Sequence, residues 1–142
     1  MKSIESKATR VIVSRVMPDE DLIDAITELV KKYKIKSGSI NAIGALKKFT
    51  VGYFNIETNE YQLKTIDEPV ELVSCMGNVA YKDGDPIVHM HFMVARQDYS
   101  IIGGHLGQPS IVSVTGEVYI YETKETIKRI HDPRFNLSLL DL

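Results

Sequence analysis

Three of the four histidines lie in one short segment, VHMHFMVARQDYSIIGGHL. His89 and His91 are two residues apart in an apolar run, so on a β-strand both imidazole rings project from the same face. His105 follows a Gly-Gly pair, whose missing side chains allow the backbone to approach a neighbouring strand closely. Three histidines with one open position are typical of a zinc site that also binds water or a ligand.

The same histidines have a second interpretation. A histidine on an apolar strand commonly forms only hydrogen bonds, and a His-x-His pair by itself is a weak motif. His131 stands apart from the segment and is expected at the surface. The residues therefore leave two alternatives open. One is a divalent metal site, with zinc as the expected ion, and the other is three hydrogen-bonded histidines without metal.

The sequence KDGD between two apolar runs predicts a tight hairpin, because Asp-Gly readily adopts the required turn conformation. If this hairpin places Val79 opposite His89, then Gly77 faces His91. A glycine opposite a histidine would leave room for a bound ion or a small molecule.

A fourth ligand or a general base would be a carboxylate, and the two candidates are Glu71 and Glu117. In the register just described, Glu71 lies further along the same face as the histidines. Both glutamates lie in apolar segments, where an unpaired carboxylate costs free energy, so each is expected to have a partner. Arg96 is one candidate partner for Glu71.

The elements that must position these residues are mostly strands. One helix is predicted over MPDEDLIDAITELVKKYKIKSG, beginning at Pro18 and ending at Gly38, because its apolar residues recur at helical spacing. From Ser39 onward the pattern changes to strands, and the last of these is predicted to begin only at Pro109, after the Gly-Gly segment. Residues 123–142 are expected to form a short helix and an arm. The predicted class is α+β, with a mostly antiparallel central sheet.

Length and composition limit the remaining possibilities. The 142 residues are expected to form a single domain, 1–142, and the formal charge of -2 does not favour nucleic acid as a partner. Cys75 is the single cysteine and is expected to be a buried thiol. The N-terminal residues lack the apolar core of a signal peptide and no segment is long enough to span a membrane, so a cytoplasmic protein is expected. Strands that are apolar on both faces indicate an oligomer.

The segments AIGALKKFTVGYFNIETNEYQ, EPVELVSCMGNVAYKDGDPIVHMHFMVA, IIGGHL and VSVTGEVYIYE together closely resemble the PPC domain, named for plants and prokaryotes. The resemblance covers about residues 8–122, leaving 123–142 as a C-terminal tail. It implies an α+β fold that assembles as a homotrimer. It also implies that His89, His91 and His105 match the prokaryotic pattern, in which some members hold a metal.

The resemblance carries three functional alternatives. Prokaryotic members are conventionally called DNA-binding, and plant members bind DNA through AT-hooks, but this chain contains no Arg-Gly-Arg-Pro core. The leading hypothesis is a homotrimeric regulatory protein with a three-histidine zinc site. The second is a small zinc-dependent enzyme acting on a carbonyl or ester substrate, because the histidine pattern also looks similar to acetolactate decarboxylase. The third is a purely structural trimer without metal.

Overall fold

The computed structural model describes residues 1–142 and contains seven strands and one helix. In chain order the elements are β1 (Ala8–Val16), α1 (Leu22–Lys32), β2 (Gly38–Asn55), β3 (Glu60–Lys82), β4 (Asp85–Ala95), β5 (Ile101–Thr123), β6 (Lys128–Asp132) and β7 (Leu137–Asp141). The α+β prediction is confirmed in its coarse form, because the chain is mostly β-sheet and its one helix is short.

The strands form one sheet in the order β1-β5-β2-β3-β6-β7, and β4 pairs with both β3 and β5. Since β2 also pairs with β3 and β5, the four strands β2 to β5 close into a ring. All pairings are antiparallel except for one parallel contact between Tyr81 and Lys128. The sheet is therefore mixed, although the predicted antiparallel arrangement dominates it.

The hydrophobic core lies between the ring of strands and the helix and contains 21 buried residues. On the helix, the buried side chains are Leu22, Ile26 and Val30, three residues of the predicted apolar stripe. On β4, the buried side chains are Met90, Phe92 and Val94. Because side chains alternate along a strand, the histidines between them project from the outer face of the sheet.

The helix is shorter than predicted at both ends. Asp19 has a φ of +74°, which is incompatible with a helix that begins at Pro18. Asp21 caps the helix instead, because its carboxylate accepts hydrogen bonds from the backbone N–H groups two and three residues later. Lys34, with a φ of +53°, ends the helical path before Gly38. No helix in the structure has the length and apolar character needed to cross a bilayer.

The predicted hairpin between β3 and β4 exists, but it has a two-residue turn. Asp83 and Gly84 have φ values of +52° and +95°, and the strands close with the pair Lys82 and Asp85. Positive φ at both central residues is the geometry that favours Asp-Gly in tight hairpins. The turn therefore fixes the pairing from Lys82 back to Ser74, beyond which the register shifts.

The register predicted for these strands is wrong by one residue. Val79 opposite His89, and Gly77 opposite His91, would require a three-residue loop between the strands. The observed pairs are Asn78 with His89 and Met76 with His91. The side chains that flank the histidines are therefore an amide and a thioether, rather than the open space next to a glycine.

Two further segments differ from expectation. β5 begins at Ile101 and includes the Gly-Gly pair, whereas the sequence pattern placed the start of this strand at Pro109. Residues 123–142 contain no helix, and β6 and β7 pair as an antiparallel hairpin. This C-terminal hairpin docks on β3, where the N–H of Tyr81 donates to the carbonyl oxygen of Ile127 at 2.8 Å. The predicted arm on the domain is thus present, but it is made of strands.

Candidate metal centre

His89, His91 and His105 meet on the outer face of the sheet. The first two lie on β4, and His105 lies on β5 directly opposite His91. One ring nitrogen from each histidine lies within 4.8 Å of the corresponding nitrogens of the other two. The ring centroids are 5.2–5.5 Å apart. The structure thus assembles the three residues that the sequence pattern singled out.

The Gly-Gly pair brings β5 close to both neighbouring strands at this point. A Cβ on Gly103 would lie 2.6 Å from the carbonyl oxygen of Phe92, and one on Gly104 would lie 2.6 Å from the carbonyl oxygen of Gly52. Real Cβ atoms essentially never approach other atoms so closely. The position of His105 therefore depends on the absence of side chains at the two preceding residues.

Tyr61, on β3, packs against the ring of His105 with 4.5 Å between the centroids. Gly52 provides space for this contact, because a Cβ there would lie 3.3 Å from the Cβ of His105 and 3.4 Å from Cδ1 of Tyr61. An aromatic ring at this distance restricts the rotation of the imidazole and shields it from water. Tyr61 therefore helps to orient one of the three histidines.

The environment favours the neutral form of two of the histidines. Burial, the positive charge of Arg129 and the two neighbouring histidines together lower the pKa of His89 to about 4, with burial as the largest cause. Burial also lowers the pKa of His105, with a smaller contribution from His91. A neutral imidazole has the free nitrogen lone pair that a metal ion requires. The environment of His89 and His105 thus favours the form that can bind a metal ion.

The cluster fits a zinc ion with three protein ligands. Nδ1 of His105 is buried without a hydrogen-bond partner, and such an atom costs free energy unless an ion or water satisfies it. Nitrogens bound tetrahedrally to zinc at roughly 2.0–2.1 Å lie about 3.4 Å apart, so small ring rotations would bring the three ligands to that spacing. No cysteine or carboxylate joins the group, which leaves a fourth position open.

The two candidate glutamates lie away from the histidines. Glu71 is opposite Ala95, four residues along β4 from His91, which corresponds to about 13 Å. Glu117 is opposite Ile43 on β2. It lies on β5, twelve residues beyond His105. Neither carboxylate belongs to the cluster, whose members are the three histidines alone.

Arg96 pairs with Glu68 rather than with Glu71. Its Nη2 lies 2.7 Å from a carboxylate oxygen of Glu68, and its Nε donates to both carboxylate oxygens, at 3.0 and 3.1 Å. This pairing lowers the pKa of Glu68. Arg96, the expected charge partner of Glu71, therefore forms its ion pair with Glu68 instead.

Cys75 is fully buried and faces the core, as expected from its apolar segment. Burial raises the pKa of its thiol to about 12, so a reactive thiolate is scarce at neutral pH. The thiol lies 3.9 Å from the sulfur of Met90. His131 lies on β6 with its side chain exposed, outside the metal cluster.

Sequence reasoning missed Arg129, which the C-terminal hairpin brings to the histidines. Its Nη2 donates to Oδ1 of Asn78 at 2.6 Å, and its Nη1 donates to the carbonyl oxygen of Ser138 at 2.8 Å. Its Nε is buried without a partner. The five-residue alternation in KRIHD was the only available signal, and it is too short to predict a strand or its neighbours.

A cavity of about 280 Å³ lies between the histidines and the C-terminal hairpin. Its lining residues are Tyr61, Lys82, Ile87, Val88, His89, His105, Arg129, Leu137, Ser138 and Leu139. A second cavity, of about 300 Å³, lies against His91 and is lined by residues such as Met76 and Met93. The histidine cluster therefore separates two cavities and is accessible to small molecules.

The family comparison covers most of the chain. Residues 3–124 match the model of the Plants and Prokaryotes Conserved (PCC) domain, the family called PPC above. One curated relative is the bifunctional protein GlmU of Synechococcus sp. (strain JA-3-3Ab), which is 26% identical over 117 residues. That match covers 82% of this chain but only 18% of the relative's length.

Several solved structures have the same fold. A PPC protein from Pyrococcus horikoshii is 33% identical, with a TM-score of 0.91 over 100% of this chain and 98% of that one. A metal-containing protein from Archaeoglobus fulgidus is 31% identical, with a TM-score of 0.91 over 100% of both chains. A protein from Bacteroides thetaiotaomicron with a provisional DNA-binding name is 29% identical, with a TM-score of 0.89 over 96% of both chains.

The likeness extends to acetolactate decarboxylase from Bacillus subtilis at the level of the fold alone. That enzyme is 15% identical, and the TM-score is 0.61 over 95% of this chain and 62% of the enzyme. The family match covers residues 3–124, and two of the similar structures are more than 30% identical over nearly their whole length. This chain belongs to the Plants and Prokaryotes Conserved domain family.

Proposed function

We propose that this chain is a zinc-binding regulatory protein of the PPC family that assembles as a homotrimer. The observation that carries the proposal is the convergence of His89, His91 and His105 within 4.8 Å on a rigid pair of strands. Zinc is the expected ion because neutral imidazoles are among its commonest ligands, and three of them leave one position open. The metal-containing relative from Archaeoglobus fulgidus supports a metal in this family.

Metal analysis of protein prepared without chelators tests this proposal. We expect about one zinc per chain in the wild type, and a large loss in His91→Ala and His105→Ala, because two histidines hold the ion far more weakly than three. His131→Ala is the matched control, since His131 is exposed outside the cluster. Less than about one tenth of a zinc per chain, with no gain after zinc addition, would refute the metal site.

A row that includes exposed apolar side chains on the outer face supports the homotrimer. Val13, Tyr119, Asn41 and Met76 are successive cross-strand partners on β1, β5, β2 and β3, and the row ends at His91. Val13, on the edge strand β1, and Met76, on β3, are each 61% exposed, which is high for apolar side chains. A second copy of the chain would cover this face.

Light scattering during size-exclusion chromatography tests the assembly. We expect three times the monomer mass for the wild type, and a smaller mass for Met76→Lys, because a buried ammonium group would have no partner. Lys64→Ala is the control, because Lys64 is an exposed residue of β3 that lies outside the row. A monomeric wild type at micromolar concentration would exclude the trimer.

The regulatory role is conventionally described as DNA binding, and the provisional name of the Bacteroides thetaiotaomicron relative supports that description. The net charge of -2 means that any DNA contact would depend on a local cluster of basic residues. Binding to duplex DNA should then weaken as salt increases, because each neutralised phosphate releases counterions. Absence of binding at low salt would remove DNA from the proposed function.

A small zinc-dependent enzyme is the second candidate function. The cavities on both sides of the histidine cluster favour it, because a substrate carbonyl or ester could reach the open position. Zinc bound there would polarise a carbonyl group or activate water. Turnover of small carbonyl or ester substrates that is lost in His91→Ala and retained in His131→Ala would support this alternative over a regulatory role.

A further inference from the structure

The guanidinium group of Arg129 is the least satisfied charged group beside the histidines. Two of its nitrogens are fixed by Asn78 and Ser138, but its Nε is buried without a hydrogen-bond partner. Buried donors in folded proteins almost always have a partner, and a cation in particular requires an acceptor. None of the four ion pairs in the chain includes Arg129, so its positive charge has no carboxylate partner where it lines the cavity beside the histidines.

The surrounding cavity has the chemistry of an anion site with an apolar wall. Lys82 and Arg129 are its charged residues, and none of its lining side chains is acidic. Leu137 and Leu139 of the C-terminal hairpin supply apolar surface opposite the histidines. Its volume, about 280 Å³, limits the occupant to a small molecule.

We propose that this cavity binds a small organic carboxylate with a short apolar body, in which the carboxylate pairs with Arg129 and the apolar body contacts Leu137 and Leu139. An α-keto or α-hydroxy acid fits best, because its second oxygen suits the open position of a three-histidine zinc site. This inference rests on the zinc site proposed above and names the ligand class for it. A guanidinium group recognises a carboxylate by charge and by paired hydrogen bonds.

Isothermal titration calorimetry of the zinc-loaded protein tests the inference. The probes are α-ketoisocaproate, its neutral amide and inorganic phosphate. We expect the carboxylate to bind at least about tenfold more tightly than the amide, because only the carboxylate compensates the buried cation. Phosphate should bind more weakly than α-ketoisocaproate, because it has no apolar body to contact the leucine side chains.

Substitutions of two arginines on the C-terminal hairpin test whether Arg129 is the residue that binds the carboxylate. Arg129→Gln should weaken α-ketoisocaproate about tenfold and leave the amide unchanged, and Arg129→Lys should give an intermediate loss. Arg134→Gln removes the same charge from the exposed turn of the hairpin, where the guanidinium group lies over Phe135, and should change neither affinity. Thermal unfolding and zinc content show whether each variant is folded.

The outcomes separate the inference from the proposed function. Absence of zinc overturns both. Zinc binding with equal affinity for carboxylate and amide overturns the carboxylate inference and leaves the zinc site intact, even if Arg129→Gln fails to fold. Phosphate binding as tight as that of α-ketoisocaproate would also overturn it, because the cavity would then be a general anion site.

Discussion

Gly104→Ala tests whether the close approach of β5 positions the metal cluster. The new Cβ would lie 2.6 Å from the carbonyl oxygen of Gly52 and 3.0 Å from Cγ2 of Val51. Ordinary contact begins at 3.4 Å, so the two backbones must separate by 3.4 minus 2.6, or about 0.8 Å. The next residue is His105, which must move with the backbone that carries it.

Two consequences of different size are expected from this displacement. Overpacking of this kind costs about 1–3 kcal/mol of the free energy of unfolding. Zinc affinity should decrease about 10- to 100-fold, because ligand distances must stay within about 0.2 Å of their ideal values and supporting residues commonly have effects of this size. Zinc affinity should therefore be more sensitive to the change than the fold itself.

The assay is a zinc titration in competition with a chromophoric chelator, combined with thermal unfolding. Gly84→Ala is the control, because Gly84 has a φ of +95° and its Cβ would have no atom within 4 Å. That change should cost about 1 kcal/mol through backbone strain and leave zinc affinity unchanged. Wild-type zinc affinity in Gly104→Ala would refute the argument that the glycine positions His105.

Three other predictions concern zinc, the thiol and the helix cap. Zinc at 100 times its dissociation constant should stabilise the wild type by about 2.7 kcal/mol in thermal unfolding but should not stabilise His91→Ala. Cys75 should resist thiol reagents at pH 8 until denaturant is added, because its pKa is about 12, and fast labelling of the native protein would contradict this. Asp21→Ala should cost about 1–2 kcal/mol in chemical unfolding, since Asp21 caps the helix and accepts from the N–H of Ser110 at 2.7 Å, and an unchanged midpoint would contradict that role.

The local pattern of the sequence was sufficient to predict the histidine cluster. Alternation along β4 placed His89 and His91 on one face, and the structure confirms this because Met90, between them, and Phe92, after them, are buried. The Gly-Gly pair indicated that β5 could come close, and His105 lies opposite His91. Both inferences depend only on the two-residue period of a strand and on the size of a side chain.

The residues opposite His89 and His91 could not be obtained in the same way. They depended on the register between β3 and β4, and a one-residue difference in turn length changes every cross-strand pair. Asp83 and Gly84 form a two-residue turn, so Asn78 and Met76 flank the histidines. A hairpin signal in the sequence identifies the turn but does not fix its length, and the predicted partners of His89 and His91 depended on that length.

The contacts of the C-terminal hairpin with the histidine site could not be predicted from the sequence for a different reason. β6 and β7 are five residues each and are held to the domain by a few contacts, such as the bond from Arg129 to Asn78. This bond joins residues 51 positions apart, and no local periodicity encodes it. A cavity that forms between distant segments therefore appears only in the folded structure.

The metal ligands and the cavity wall come from different parts of the chain, so they can be perturbed separately. The three histidines lie within residues 3–124, and the C-terminal hairpin lies beyond that family match. Leu139→Glu would place a carboxylate in the cavity, where it would compete for Arg129 and repel α-ketoisocaproate. We expect at least a tenfold loss of α-ketoisocaproate binding with unchanged zinc content. Leu140→Glu is the control, because Leu140 is the next residue and lies outside the cavity lining, so α-ketoisocaproate binding and zinc content should be unchanged. Equal losses of α-ketoisocaproate binding in the two variants would mean that the hairpin does not form the wall of a carboxylate site.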